Sequence, residues 1–154
     1  MSAPQPGVHV HVAMCEVKKI LAKHGGITKD RTAPVGGGYQ FRGIDDMYDV
    51  LCGLTAEQGL VLYPRGGGEP RVEYQERGVD RNGKQQGLQT HVHLIVEVDF
   101  VSAVDGSMHT VRTAGEAIDT GDKATNKAMS AAMKYAQIMP FQIPATCRTW
   151  RAVM

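Results

Sequence analysis

Lys123, Lys127 and Lys134 stand four and seven residues apart in an alanine-rich stretch. Wound into an α-helix, they fall within roughly 40° of one another, with Ser130 beside them. Each ammonium is a point charge with three donors, suited to holding an anion rather than to reading a sequence. About 18 helical residues span roughly 27 Å, so the three charges form a line. A phosphate backbone is also a line of charge. Three lysines alone bind weakly, and repeating the site across an oligomer multiplies the affinity.

Other residue groups suggest other chemistries. Asp45, Asp46, Glu116, Asp119 and Asp122 permit a metal-dependent nuclease, because two-metal hydrolysis needs clustered carboxylates. Capping and turn roles compete for them: Asp45 can open one helix, Asp122 or Thr120 can open another, and Asp119 sits in a turn. His91 and His93 share one face of a strand, as do His9 and His11 if that arm is extended, and such pairs can bind metal. No third ligand accompanies either pair. Gly78–Lys84 has the spacing of a phosphate-binding loop, but Gln85 follows the lysine where Ser or Thr is required. A strand rather than a helix comes next, so the segment reads as a hairpin tip. No cofactor is expected.

The bulk properties frame these sites. The chain has 154 residues, enough for one domain with a real core. Net charge is +1, yet residues 123–154 carry Lys123, Lys127, Lys134, Arg148 and Arg151 and no acid. That segment sums to +5 and residues 1–122 to −4. Such asymmetry fits a basic surface on a neutral fold, and equally a solvated face. Cys15, Cys52 and Cys147 are odd in number and lack CxxC spacing, so they read as reduced thiols of a cytosolic protein. No secretory signal is evident, and no apolar run approaches the ~18 residues of a membrane helix.

The elements that must position the sites follow from periodicity. Met14, Val17, Ile20 and Leu21 predict a first helix over residues 10–24, stopped by Gly25 and Gly26. Residues 28–38 read as a loop and 39–42 as a short strand. Ile44, Met47, Tyr48, Leu51 and Leu54 predict a second helix ending at Gly59. Residues 60–63 look like a buried strand. Val92, Leu94, Val96, Val98 and Phe100 then alternate with polar residues, interrupted by Ile95. A two-residue turn at Asp105-Gly106 would return the chain with Phe100 opposite Val111 and Asp99 opposite Arg112. An Asn82-Gly83 turn would bring in an earlier strand, residues 71–77, with Tyr74 opposite His91; a bulge or longer loop there is the alternative. The final helix should end at Pro140. The fold class is α+β: an antiparallel three-stranded meander with helices packed on one face.

Three blocks resemble the ERF superfamily of bacteriophage single-strand annealing proteins. The first runs Tyr39-Gln40-Phe41-Arg42-Gly43-Ile44-Asp45-Asp46-Met47-Tyr48. The second runs from Gly115-Glu116-Ala117-Ile118-Asp119-Thr120-Gly121-Asp122-Lys123-Ala124 through Asn126-Lys127-Ala128 and Ala132 to Lys134-Tyr135. The third is Phe141-Gln142-Ile143-Pro144. The resemblance covers about residues 10–145, leaving an N-terminal arm, 1–9, and a short basic tail, 146–154, where relatives often continue into an acidic linker. It implies a β-β-β-α core like that of the eukaryotic annealing rings. It also implies homo-oligomeric rings or filaments that pair complementary single-stranded DNA without nucleotide hydrolysis. Such a protein is not an enzyme and works in the host bacterial cytoplasm, beside a phage exonuclease or a host single-strand-binding protein. Carried over by position, Arg42, Lys123, Lys127, Lys134 and Tyr135 become DNA contacts, Arg42 bridging two phosphates. Tyr39 and Phe41 become candidates for base stacking or for the core. The competing classes are the nuclease and a protein-interaction domain whose basic helix meets an acidic partner.

Overall fold

The computed structural model describes residues 7–32 and 40–144. Nine elements follow in order: α1 (His9–His24), β1 (Arg31–Thr32), β2 (Gln40–Phe41), α2 (Ile44–Glu57), β3 (Leu60–Gly66), β4 (Arg71–Glu76), β5 (Leu88–Ser102), β6 (Met108–Asp119) and α3 (Ala124–Phe141). The class is α+β, as expected, but the main antiparallel sheet has four strands where three were expected, and β1 and β2 form a separate two-stranded sheet.

Strand β5 organises the sheet. Its 15 residues pair with β6 along one edge. The other edge takes β3 and β4 end to end. Gly67–Pro70 lie between those two strands opposite only Leu94 and Ile95, so β3 and β4 form one edge interrupted by a bulge. The core is thus strand edge, β5, β6, then α3. The expected β4-β5-β6 meander is present, and residues 60–66 add β3 to it along β5. That strand is not the buried one expected, since Leu60 is buried but Val61 and Tyr63 are 41% and 55% exposed.

Period-two alternation decides which face is covered. Val92, Leu94, Val96, Val98 and Phe100 are all at most 7% exposed and point toward the helices. Ala124, Ala128, Ala132 and Ala136 meet them from α3, one per turn and each at most 3% exposed. Gly115 lets the helix come this close. A Cβ there would lie 2.0 Å from the Ala128 carbonyl oxygen and 2.9 Å from Ala132 Cβ. Beside it, Thr113 Oγ1 donates to the Ala132 carbonyl at 2.8 Å. The opposite face has no helix among the described residues and is polar. There Arg65 grips Asp99 through two hydrogen bonds of 2.6 and 2.9 Å.

Both hairpin registers differ from the expected ones. Across β5–β6, Phe100 faces His109, Val98 faces Val111, and Glu97 faces Arg112. The loop has four residues, Ala103–Gly106, closed by Ser102 N–H donating to the Ser107 carbonyl. A shift of two preserves every side chain's face. Asp105 does not form the tight turn. Its carboxylate accepts from Ser107 N and Oγ and from the backbone N–H groups of Gly7 and His9. It therefore caps α1 from another part of the chain, and those bonds hold its pKa well below the ordinary value. Between β4 and β5, Glu73 faces His91 and Tyr74 faces Thr90. Here the loop has three residues, Arg81–Gly83, with Gly83 at φ 75°. That slip of one moves Tyr74 to the other face from His91.

Helix ends also depart from expectation. Asp46, not Asp45, serves α2, accepting from Gly43 N–H at 2.5 Å. Neither Thr120 nor Asp122 caps α3, whose first turn has no side-chain cap. Pro140 sits inside its last turn, and Gln142 at φ 51° ends it. His9 and His11 lie on α1, so they do not form a strand pair. Arg31 and Thr32 form a strand where a loop was expected, paired with β2.

Candidate nucleic-acid interface

The alanine row turned to the sheet leaves the lysine row on the outer flank of α3. There the chain entering α2 runs beside the helix. Phe41, Gly43 and Ile44 face Lys123, Asn126, Lys127, Ser130 and Lys134 across a groove of about 320 Å³. No carboxylate is among the described residues that line it. The three lysines predicted to share a face thus share one groove, and half-buried Phe41 forms its other wall.

The lysines differ in their surroundings. Lys127 pairs with Asp119, at the end of β6 on the same face as Gly115. Asp119 also accepts from Gly121 N–H at 2.7 Å. Lys127 and that N–H hold the Asp119 carboxyl below its usual range. Asp119 is thus a partner of the basic row, a role that reading it as a turn residue missed. The available signal was strand parity, since Asp119 lies four residues beyond Gly115.

Lys134 has no acidic partner among the described residues. Burial lowers its pKa, and the charges of Arg42 and Lys29 lower it further. Its ammonium lies 5.2 Å from the centroid of the Tyr135 ring. Tyr135 itself is 47% exposed and is outside the groove lining. An uncompensated cation against an open groove is a place where an added anion gains most.

Arg42 is 7% exposed. Its guanidinium donates to the carbonyls of Ile27 at 2.9 Å, Pro144 at 2.9 Å and Ile143 at 3.0 Å. It ties the exit of α1 to the exit of α3. Three of its five N–H donors are thus committed to backbone carbonyls, which gives Arg42 the role of a structural cross-link here. Tyr39 lies outside the described residues.

The acids of the nuclease alternative lie in separate places. Asp45 and Asp46 flank Arg31, Glu116 pairs with His91 at 2.5 Å, and Asp119 pairs with Lys127. Among the described residues no three His, Cys, Asp or Glu side chains come together as a metal site. Gly78–Lys84 forms a hairpin tip, where Asp80 accepts from Asn82 N–H, Lys84 N–H and Gln86 Nε2. No helix among the described residues is long and apolar enough to cross a membrane.

The sequence model of the ERF superfamily matches residues 13–147. The chain belongs to the ERF superfamily. No curated protein and no solved structure gives a significant match. The ERF superfamily is associated with single-strand annealing and, through it, with DNA binding and recombination. The family match spans both walls of the groove, so the lysine row of this ERF member lies within the shared domain.

Proposed function

We propose that this ERF superfamily member binds single-stranded DNA along α3 and anneals complementary strands as a homo-oligomer, without nucleotide hydrolysis. The observation that carries the reading is the convergence of Lys123, Lys127 and Lys134 on one groove whose described lining holds no carboxylate, with Asp119 paired to Lys127 beside it. Phosphates lie along the lysine row, Lys127 exchanging Asp119 for a phosphate oxygen. Bases then remain free to meet a second strand. Base pairing supplies the driving free energy, about 1.4 kcal/mol per stacked step, so no covalent chemistry is required. A ring or filament would multiply the weak single site. The setting would be phage recombination in a bacterial cytoplasm, downstream of an exonuclease that exposes the strands.

The test is annealing of two labelled complementary oligonucleotides by the pure chain, with neither nucleotide nor metal. The expected result is pairing faster than the spontaneous rate and slowed by salt. No acceleration at any protein-to-DNA ratio would refute the reading. Magnesium-dependent cleavage of the strands, lost in Asp119→Ala, would favour the nuclease.

A further inference from the structure

The β4–β5 hairpin extends beyond the body of the fold. Strand β6 ends opposite Thr90, so the hairpin beyond that point is two-stranded. Two-stranded ribbons are marginal in water unless a face is covered. On the face shared with the core, Val72, Tyr74 and Leu88 are 44%, 72% and 58% exposed. The tip carries Arg77, Arg81 and Lys84, while Asp80 is engaged in three turn hydrogen bonds.

A second apolar surface, without a partner among the described residues, lies elsewhere on the same chain. Between α2, α3 and β3 is a cleft of about 390 Å³, lined chiefly by Tyr48, Pro64, Leu94, Val96, Met129 and Met133. Tyr48 and Met129 are 46% and 49% exposed. Methionine and tyrosine are the side chains that adapt to and anchor a protein partner. The α2 rim of this cleft carries acids, with Arg31 pairing Asp45 at 3.8 Å, and Arg65, which also lines the cleft, is engaged by Glu97 and Asp99. Asp45 and Asp49 lie within roughly 100° of Tyr48 around the helix, and α2 contains no basic residue.

We infer that the hairpin of one copy docks in the cleft of the next, with Tyr74, Val72 and Leu88 against Tyr48, Met129 and Met133. The basic tip then meets Asp45 and Asp49. Charge complementarity selects a second copy as the occupant: hairpin tip and cleft rim carry opposite signs, and both belong to this chain. Donor and acceptor are different surfaces, so the contact is head-to-tail and extends into a closed ring or a filament. It supplies the contact that the annealing reading requires, but it rests on surfaces away from the lysine groove.

The full-length chain, Tyr74→Asp and Met129→Asp are compared by light scattering at equal concentration, with thermal midpoints checking the fold. The wild-type chain should exceed monomer mass and both variants should be monomeric. Each variant keeps one half of the contact, so their equimolar mixture should form dimers and nothing larger. A monomeric wild-type chain, unchanged mass in either variant, or a mixture that stays monomeric would overturn the contact. Unchanged mass with loss of single-strand binding in Tyr74→Asp would assign the hairpin to nucleic acid instead. Binding of a short labelled oligonucleotide separates the two proposals: monomeric variants should retain it, and its absence from the wild-type chain would refute the annealing reading alone.

Discussion

Replacing Gly115 by alanine tests how the lysine row is held. The new methyl would lie 2.0 Å from the Ala128 carbonyl oxygen, 2.9 Å from its carbon and 2.9 Å from Ala132 Cβ. Ordinary contact begins near 3.4 Å, so α3 must retreat by about 1.4 Å (3.4 − 2.0) or the strand must buckle. The obstacle is backbone, which cannot rotate aside. Overpacking of this kind costs about 3 kcal/mol, the upper end of the common range. Retreat would also stretch the 2.8 Å bond from Thr113 to the Ala132 carbonyl. For a chain of 154 residues that loss lowers the melting temperature by about 6–12 °C. Calorimetry or urea denaturation reads it directly. Gly53→Ala is the matched control, because Gly53 lies within α2 and a Cβ there meets nothing within 4 Å. That variant should gain up to about 1 kcal/mol through helix propensity and reduced unfolded-state entropy. If Gly115→Ala were neutral or stabilising, the close approach of α3 to β6 would be wrong, and with it the placement of the groove.

Arg42→Ala should cost about 2–4 kcal/mol by urea denaturation, since it leaves buried carbonyls of Ile27 and Ile143 without their charged donor; loss of DNA affinity with unchanged stability would contradict the structural role. Asp119→Asn removes the charge that competes with phosphate for Lys127, so single-strand affinity should rise about 1.5- to fivefold at low salt, as expected for an ion pair worth about 0.2–1 kcal/mol; weaker binding in a well-folded variant would contradict the exchange. Acid should destabilise the fold. Asp99, bonded first by Arg65 and next by Thr110, has its pKa lowered to about 2, and Asp105 is also depressed. Their unfolded values lie higher, so their contribution is full above pH about 4 and is lost as pH falls toward 2. Thermal melts from pH 7 to 2 should show that decline, and in Asp99→Asn a shallower one.

Much of this arrangement was legible in the sequence where periodicity alone decides it. Ala124, Ala128 and Ala132 recur every turn, so the side of α3 that faces the sheet and the side that carries lysines follow from spacing. The faces of β5 follow from alternation in the same way. Registers were less legible, because they depend on loop lengths that distant bonds decide. Asp105 reads as a tight-turn residue, yet its carboxylate is drawn to α1, some 98 positions away at Gly7. Asn82-Gly83 reads as a two-residue turn, but Asp80 widens the loop by accepting from Asn82 and Lys84. The cross-linking role of Arg42 was not legible for a related reason: sequence gives its charge but not its burial. The Lys127–Asp119 pair joins an element's end to another's first turn; strand parity puts Asp119 on the helix-facing side, but which lysine it meets depends on how α3 packs.

The most direct measurement is single-strand binding by Lys127→Ala/Lys134→Ala against salt, with a random-sequence oligonucleotide and a thermal melt confirming the fold. Each phosphate contact adds about 0.7 to the slope of log affinity against log salt for single strands. The double variant should therefore bind more weakly and lose about 1.4 of that slope per bound subunit, regardless of oligonucleotide sequence. Affinity and slope equal to those of the wild-type chain would place the DNA on another surface and contradict the assignment of the α3 groove.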